Sequence, residues 1–126
     1  MSGANVVDSS GWLEYLADSD RASLFASAIE DASSLVVPVI SIFEVFRKVL
    51  RERGEDDALR VAAIMQEGKV IDLDTASALD AARYPLPLAD SIIYAVATRY
   101  EATLWTQDEH FKGLPNVRFF PRAASA

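Results

Sequence analysis

The run Leu35-Val36-Val37-Pro38-Val39-Ile40 constrains the fold more than any other stretch of the chain. Six residues are too few for a stable helix, β-branched side chains dominate, and no polar residue interrupts them, so the run reads as a strand with Pro38 near its end. A strand apolar at successive positions is buried on both faces, as in a parallel sheet covered by helices on either side. The rest of the chain must then supply further strands and the helices that cover them.

It does so in alternation. A short strand starts near Ala4 and ends at Val7, with Asp8 at its C-terminal edge and Asp8-Ser-Ser-Gly11 breaking the run. Helical spacing follows in Trp12, Leu13, Leu16 and Ala17, then over Ala22 to Asp31. After the Leu35–Ile40 strand, Ser41-Ile-Phe-Glu44 has capping-box spacing and opens a helix to about Arg53, where Gly54 stops it. A helix from Glu55 or Asp56 to Glu67 ends at Gly68. Lys69–Leu73 alternates as an edge strand, and Asp74 or Thr75 caps a helix to about Arg83. Pro87 to Tyr100 is the most apolar helix, Ala102–Trp105 a strand ending at Thr106, and Gln107–Phe111 a helical turn. Val117–Phe120 makes a fifth strand, and a small-residue tail expected to fray begins at Pro121. The pattern predicts an α/β fold, a three-layer α/β/α sandwich with a mostly parallel central sheet, as one domain over residues 1–126.

Composition narrows the function. A 126-residue chain with 51% hydrophobic content can bury one core. The absence of cysteine excludes disulfides, thiolate nucleophiles and cysteine-based zinc sites. Met1–Asn5 has neither a basic nor an apolar leader segment, and no apolar run reaches the roughly 18 residues of a membrane span, so a cytoplasmic protein without membrane contact is expected. A net charge of −7 argues against whole-surface attraction to nucleic acid. It leaves room for an enzyme whose carboxylates hold divalent cations, because the ion inverts the local field.

In a parallel sheet the C-terminal strand ends share one edge, where ligand sites form. Asp8 follows the first strand directly, Glu44 the second by four residues, and Asp108 lies three residues after Trp105. Asp90 stands in the first turn of the apolar helix. Each has an ordinary structural explanation: Asp8 as a helix cap, Glu44 as the partner of Ser41 in a capping box, Asp90 and Asp108 as acids at positive helix ends. Gathered at one edge, four carboxylates would repel one another by more than capping offsets unless cations or shared protons neutralised them. Magnesium takes oxygen ligands and is commonly held by one or two carboxylates together with substrate phosphate. Two such ions about 3.5–4 Å apart can activate a water and stabilise the leaving oxygen of a phosphodiester displacement.

The blocks Val-Val-Asp8-Ser-Ser, Ile-Phe-Glu44-Val, Leu-Ala-Asp90-Ser-Ile-Ile-Tyr-Ala-Val-Ala and Thr106-Gln-Asp108-Glu-His-Phe111 resemble the PIN-domain family, specifically the VapC-type ribonuclease toxins of toxin–antitoxin modules. The separation of 18 residues between Asp90 and Asp108 is the more specific part of the match. The resemblance implies a Mg²⁺-dependent endoribonuclease, with Mn²⁺ able to substitute, acting on RNA as a homodimer and held inactive by a cognate antitoxin. By position, Asp8 and Asp90 correspond to the principal metal ligands, Glu44 and Asp108 complete the acidic quartet, and Thr106 corresponds to a hydroxyl that orients a carboxylate or water. Glu109 is the alternative to Asp108 as the fourth acid, and Glu101 stands where relatives commonly have glycine.

Other features have two readings. His110, the single histidine, is either a general base or part of a turn fixed by the packing of Phe111. Arg47, Lys48, Arg51 and Arg53 are either a solvated face paired with Glu52 or Glu55, or a guide for an RNA backbone. Trp12, Phe43 and Phe46 are either core or the lining of a dimer or antitoxin groove. A receiver-type phosphoacceptor domain shares the α/β alternation and an acidic magnesium pocket, but it needs adjacent acids after the first strand, where this chain has Asp8-Ser9-Ser10. A PIN-fold binding module without catalysis is the remaining alternative.

Overall fold

The computed structural model describes residues 3–122. Its strands are β1 (Asn5–Val7), β2 (Val36–Pro38), β3 (Lys69–Ile71), β4 (Thr103–Thr106) and β5 (Val117–Phe119). The helices are α1 (Ser9–Leu16), α2 (Ala22–Glu30), α3 (Val39–Arg53), α4 (Glu55–Met65), α5 (Thr75–Ala81) and α6 (Leu88–Arg99). The tail from Ala123 lies outside the described residues.

Strand β1 pairs with β4, β4 with β5, and β2 with β3, all in parallel. A parallel bridge from Asn5 to Leu35 joins the two groups, giving the order β3-β2-β1-β4-β5. Successive side chains alternate across this sheet. Val7 and Val37 face a core built with Trp12, Phe25, Val45, Val61 and Met65 from α1 to α4. Val6, Val36 and Leu104 face the opposite way, onto Ile93, Tyr94, Val96 and Ala97 of α6. Both faces of the central strands are therefore covered, which accounts for the uninterrupted apolar run in β2. Helix α5 lies outside α6, joined through Ala81, Ile92 and Ala95.

One boundary differs from expectation. Strand β2 stops at Pro38 and α3 begins at Val39, so Ser41 lies inside the first turn and no capping box forms with Glu44. Pro38 pairs with Ile71, the last residue of β3, so a longer strand would have no partner there. The helix propensity disfavouring Val39 and Ile40 is under about 1 kcal/mol per residue, less than burying Ile40 against α6 returns. Asp72 falls just beyond β3 rather than inside it. Trp12 is core, 1% exposed, so it lines no groove, and Phe46 packs partly buried on the same core. Glu101, at φ 52°, holds the left-handed turn before β4 that glycine would adopt more readily.

Candidate metal and nucleic-acid site

The strand order places the reversal of the sheet between β1 and β4, the position beyond whose C-terminal strand ends open α/β sheets form their ligand sites. Register fixes what stands there. Val7 is opposite Trp105, so the next residues, Asp8 and Thr106, emerge side by side. The Thr106 hydroxyl donates to Asp8 Oδ2 at 2.7 Å, and the Asp108 N–H donates to the same hydroxyl oxygen at 2.9 Å. One buried threonine thus sets the spacing of two acids 100 residues apart in the chain.

Asp8 also caps α1, accepting from the Gly11 N–H at 2.9 Å and from the Ser10 hydroxyl at 2.9 and 3.0 Å. All three donors favour the charged carboxylate. Burial outweighs them, with Asp108 adding repulsion, and the Asp8 carboxyl is pushed up to about 6. Asp90, in the first turn of α6, is raised by burial first and then by the negative charge of Asp108, with Glu44 adding to it. Glu44 reaches across from α3 and accepts from the Ser9 hydroxyl at 2.5 Å. The negative charge of Asp108 acts on both Asp8 and Asp90, and that of Glu44 on Asp90, so the four acids of the sequence motif feel one another's charge.

The tightest group is Asp90, Asp108 and His110, each offering a ligand atom within 4.8 Å of the others. His110 Nδ1 lies 2.8 Å from Asp90 Oδ2 and 3.0 Å from Asp108 Oδ1. Asp108 raises the imidazole's pKa most, followed by the hydrogen bond with Asp90. At an effective dielectric of 20, two carboxylates about 4.8 Å apart repel by roughly 3 kcal/mol, more than the roughly 1 kcal/mol a helix cap returns. Capping alone therefore does not explain why the acids are gathered. The donor set, carboxylate oxygens with one imidazole nitrogen, fits a divalent cation.

Asp108, not Glu109, joins the cluster. The residues that the motif reading set aside or passed over are His110 and Ser9. The spacing Thr106-x-Asp108-x-His110 was the available signal for the first, because Asp108 caps a tight 3₁₀ turn (Glu109–Phe111) and accepts from the His110 N–H at 3.0 Å. Ser9 gave none, since its bond to Glu44 spans 35 residues.

The sequence model of the PIN domain matches residues 6–117, nearly the whole chain. This chain belongs to the PIN-domain family. Solved structures with the same fold include a toxin–antitoxin complex from Klebsiella pneumoniae (21% identity, 91% of this chain and 96% of that one, TM-score 0.74). VapC20 of Mycobacterium tuberculosis, a toxin that cleaves the sarcin–ricin loop, is similar over 89% of this chain and 95% of its own (19% identity, TM-score 0.73). VapBC2 of Rickettsia felis, bound to a DNA fragment from its promoter, aligns over 93% of this chain and 97% of that one (14% identity, TM-score 0.70). No match is found among curated protein sequences. The PIN assignment and the topology both exclude the receiver-type alternative, whose sheet runs 2-1-3-4-5 rather than 3-2-1-4-5.

Proposed function

We propose that this PIN-domain protein is a divalent-metal-dependent endoribonuclease, the toxin of a toxin–antitoxin pair, using Mg²⁺ or Mn²⁺. The gathering of Asp90, Asp108 and His110 within 4.8 Å, with Asp8 and Glu44 coupled to them at the sheet's reversal, is the observation that carries this. Asp90 and Asp108, with His110 once its Nδ1 proton is released, would hold the cation, Asp8 and Glu44 would complete its acidic surround, and Thr106 positions Asp8 and Asp108. A bound divalent cation supplies an activated water and neutralises charge on the phosphodiester. The chain's own task is to orient the carboxylates rigidly: the Gly11, Ser10 and Thr106 donors fix Asp8, and Ser9 fixes Glu44. The similarity to toxin–antitoxin structures supports a cognate antitoxin as partner, and we take the free form to be a cytoplasmic homodimer.

Purified protein freed of any antitoxin is expected to cut RNA with Mg²⁺ or Mn²⁺, leaving 5′-phosphate and 3′-hydroxyl ends, and to stop when chelator is added. Asp90→Asn, with unchanged circular dichroism, is expected to be inactive. Cutting that persists in chelator or in Asp90→Asn removes the metal mechanism. A folded protein that binds RNA and Mn²⁺ yet never cuts is a binding module instead.

A further inference from the structure

Beyond the acidic edge runs a basic one. Glu44, Arg47, Lys48 and Arg51 fall at i, i+3, i+4 and i+7 of α3, and therefore on one face of that helix. Together with Ser9 and Leu13 they line a groove of about 250 Å³. Glu44 belongs to the acidic edge and bonds Ser9, so the groove opens directly from that edge. Arg47 and Arg51 are exposed and have no carboxylate partner among the described residues, although the chain carries 19 acids against 12 bases. Lys48 pairs with Glu52 at 2.9 Å, both half-exposed, a link that solvent and salt weaken. Arg47 also lies over the ring of Phe43, 5.0 Å from its centroid, and Phe43 is 53% exposed.

We propose that this groove is a phosphate-binding track for single-stranded RNA, with Arg47, Lys48 and Arg51 holding the phosphates on one side of the cleaved bond and Phe43 offering a stacking surface. The track rests on the ribonuclease reading above. Seven residues of helix at 1.5 Å each carry the stripe about 10 Å from Glu44. Cations beside an exposed aromatic are the combination by which proteins hold a single strand without reading its sequence. An acidic protein segment fits less well, because its carboxylates offer no base to stack on the exposed Phe43 ring beside Arg47.

The test compares wild type with Arg47→Gln/Arg51→Gln, both substitutions lying on exposed side chains. Binding of a fluorescent single-stranded oligoribonucleotide is followed by anisotropy against salt in the presence of chelator, and KM and kcat for cleavage are measured with Mn²⁺. Loss of two phosphate contacts is expected to flatten the slope of log K against log salt by about 1.4. KM should rise at least several-fold with kcat nearly constant. Arg83→Gln, whose arginine pairs with Asp80 on α5, is expected to change neither. Equal slopes and equal KM in wild type and the double variant, while wild type still cuts RNA, overturn the track and leave the nuclease reading standing. Wild type that neither binds nor cuts RNA overturns both. A groove that binds poly-glutamate through the same two arginines while RNA binding is unchanged belongs to an acidic protein segment, and this too overturns the track.

Discussion

Asp8 is ionised at neutral pH against the preference of its surroundings. Between its ordinary value of 3.8 and about 6, the folded protein retains a proton that the unfolded chain has released, so stability falls as pH rises through that window. By pH 7 the cost is about 3 kcal/mol, from 1.36 kcal/mol per pKa unit. Asp8→Asn keeps the shape without the charge. It is expected to be about 1–3 kcal/mol more stable than wild type at pH 7.5, the gain fading towards pH 4, and to lose nuclease activity. Urea denaturation at the two pH values checks this; a variant less stable at pH 7.5 would mean that the hydrogen bonds, not burial, govern Asp8. Thr106→Val removes the donor to Asp8 and leaves the Asp108 N–H without its acceptor. It should cost about 1–3 kcal/mol, and Thr106→Ser should restore most of that, measured the same way. The position of the four acids at strand ends and helix starts was legible from hydrophobic pattern, whereas Thr106 stands out only through the resemblance to the PIN-domain family. Ser9 acts through a contact set by tertiary placement, for which the sequence has no period, and His110 meets Asp90 the same way although its turn with Asp108 is local.

At the scale of elements, the five strands and six helices follow from the alternation of β-branched runs with 3.6-residue spacing. The β2–α3 junction did not follow, because Ser41 and Glu44 imitate a capping box while strand pairing, which ends at Ile71, decides where β2 stops. Glu44 is released from a capping role by that shift and points its carboxylate at Ser9 instead. Gly11 carries a similar hidden constraint. Within α1, alanine would be favoured over glycine by about 1 kcal/mol. A Cβ there, however, would stand 2.7 Å from both Phe25 Cδ1 and Val7 Cγ1, side chains that are fully buried. Overpacking costs about 1–3 kcal/mol, so Gly11→Ala is expected to be destabilised overall. Its nuclease activity should fall as well, because the Gly11 N–H caps Asp8. A denaturation midpoint equal to or above that of wild type would show that the Phe25 ring gives way.

At the scale of the whole molecule, the sheet order brings together acids that the chain keeps far apart, with a single histidine between Asp90 and Asp108. The repulsion built into that edge makes cation binding a stability term. A ligand at a hundred times its Kd stabilises the folded state by about 2.7 kcal/mol. For 126 residues, about 2.1 cal/mol/K each, that corresponds to a rise in Tm of roughly 10 °C. Saturating Mn²⁺ is therefore expected to raise Tm by about that amount, with full reversal by chelator. Mg²⁺ should do so less strongly, since it gives up its waters reluctantly and so exchanges one for an imidazole nitrogen less readily than a transition-metal ion does. Asp90→Asn and Asp108→Asn should each melt no lower than wild type in chelator, because each removes one of the mutually repelling charges, and neither should respond to Mn²⁺. His110→Gln should bring the two cations' effects on Tm together. Differential scanning calorimetry across this set separates the outcomes: equal shifts for Mg²⁺ and Mn²⁺ in wild type remove His110 from the ligand set, and no shift with either removes the metal site.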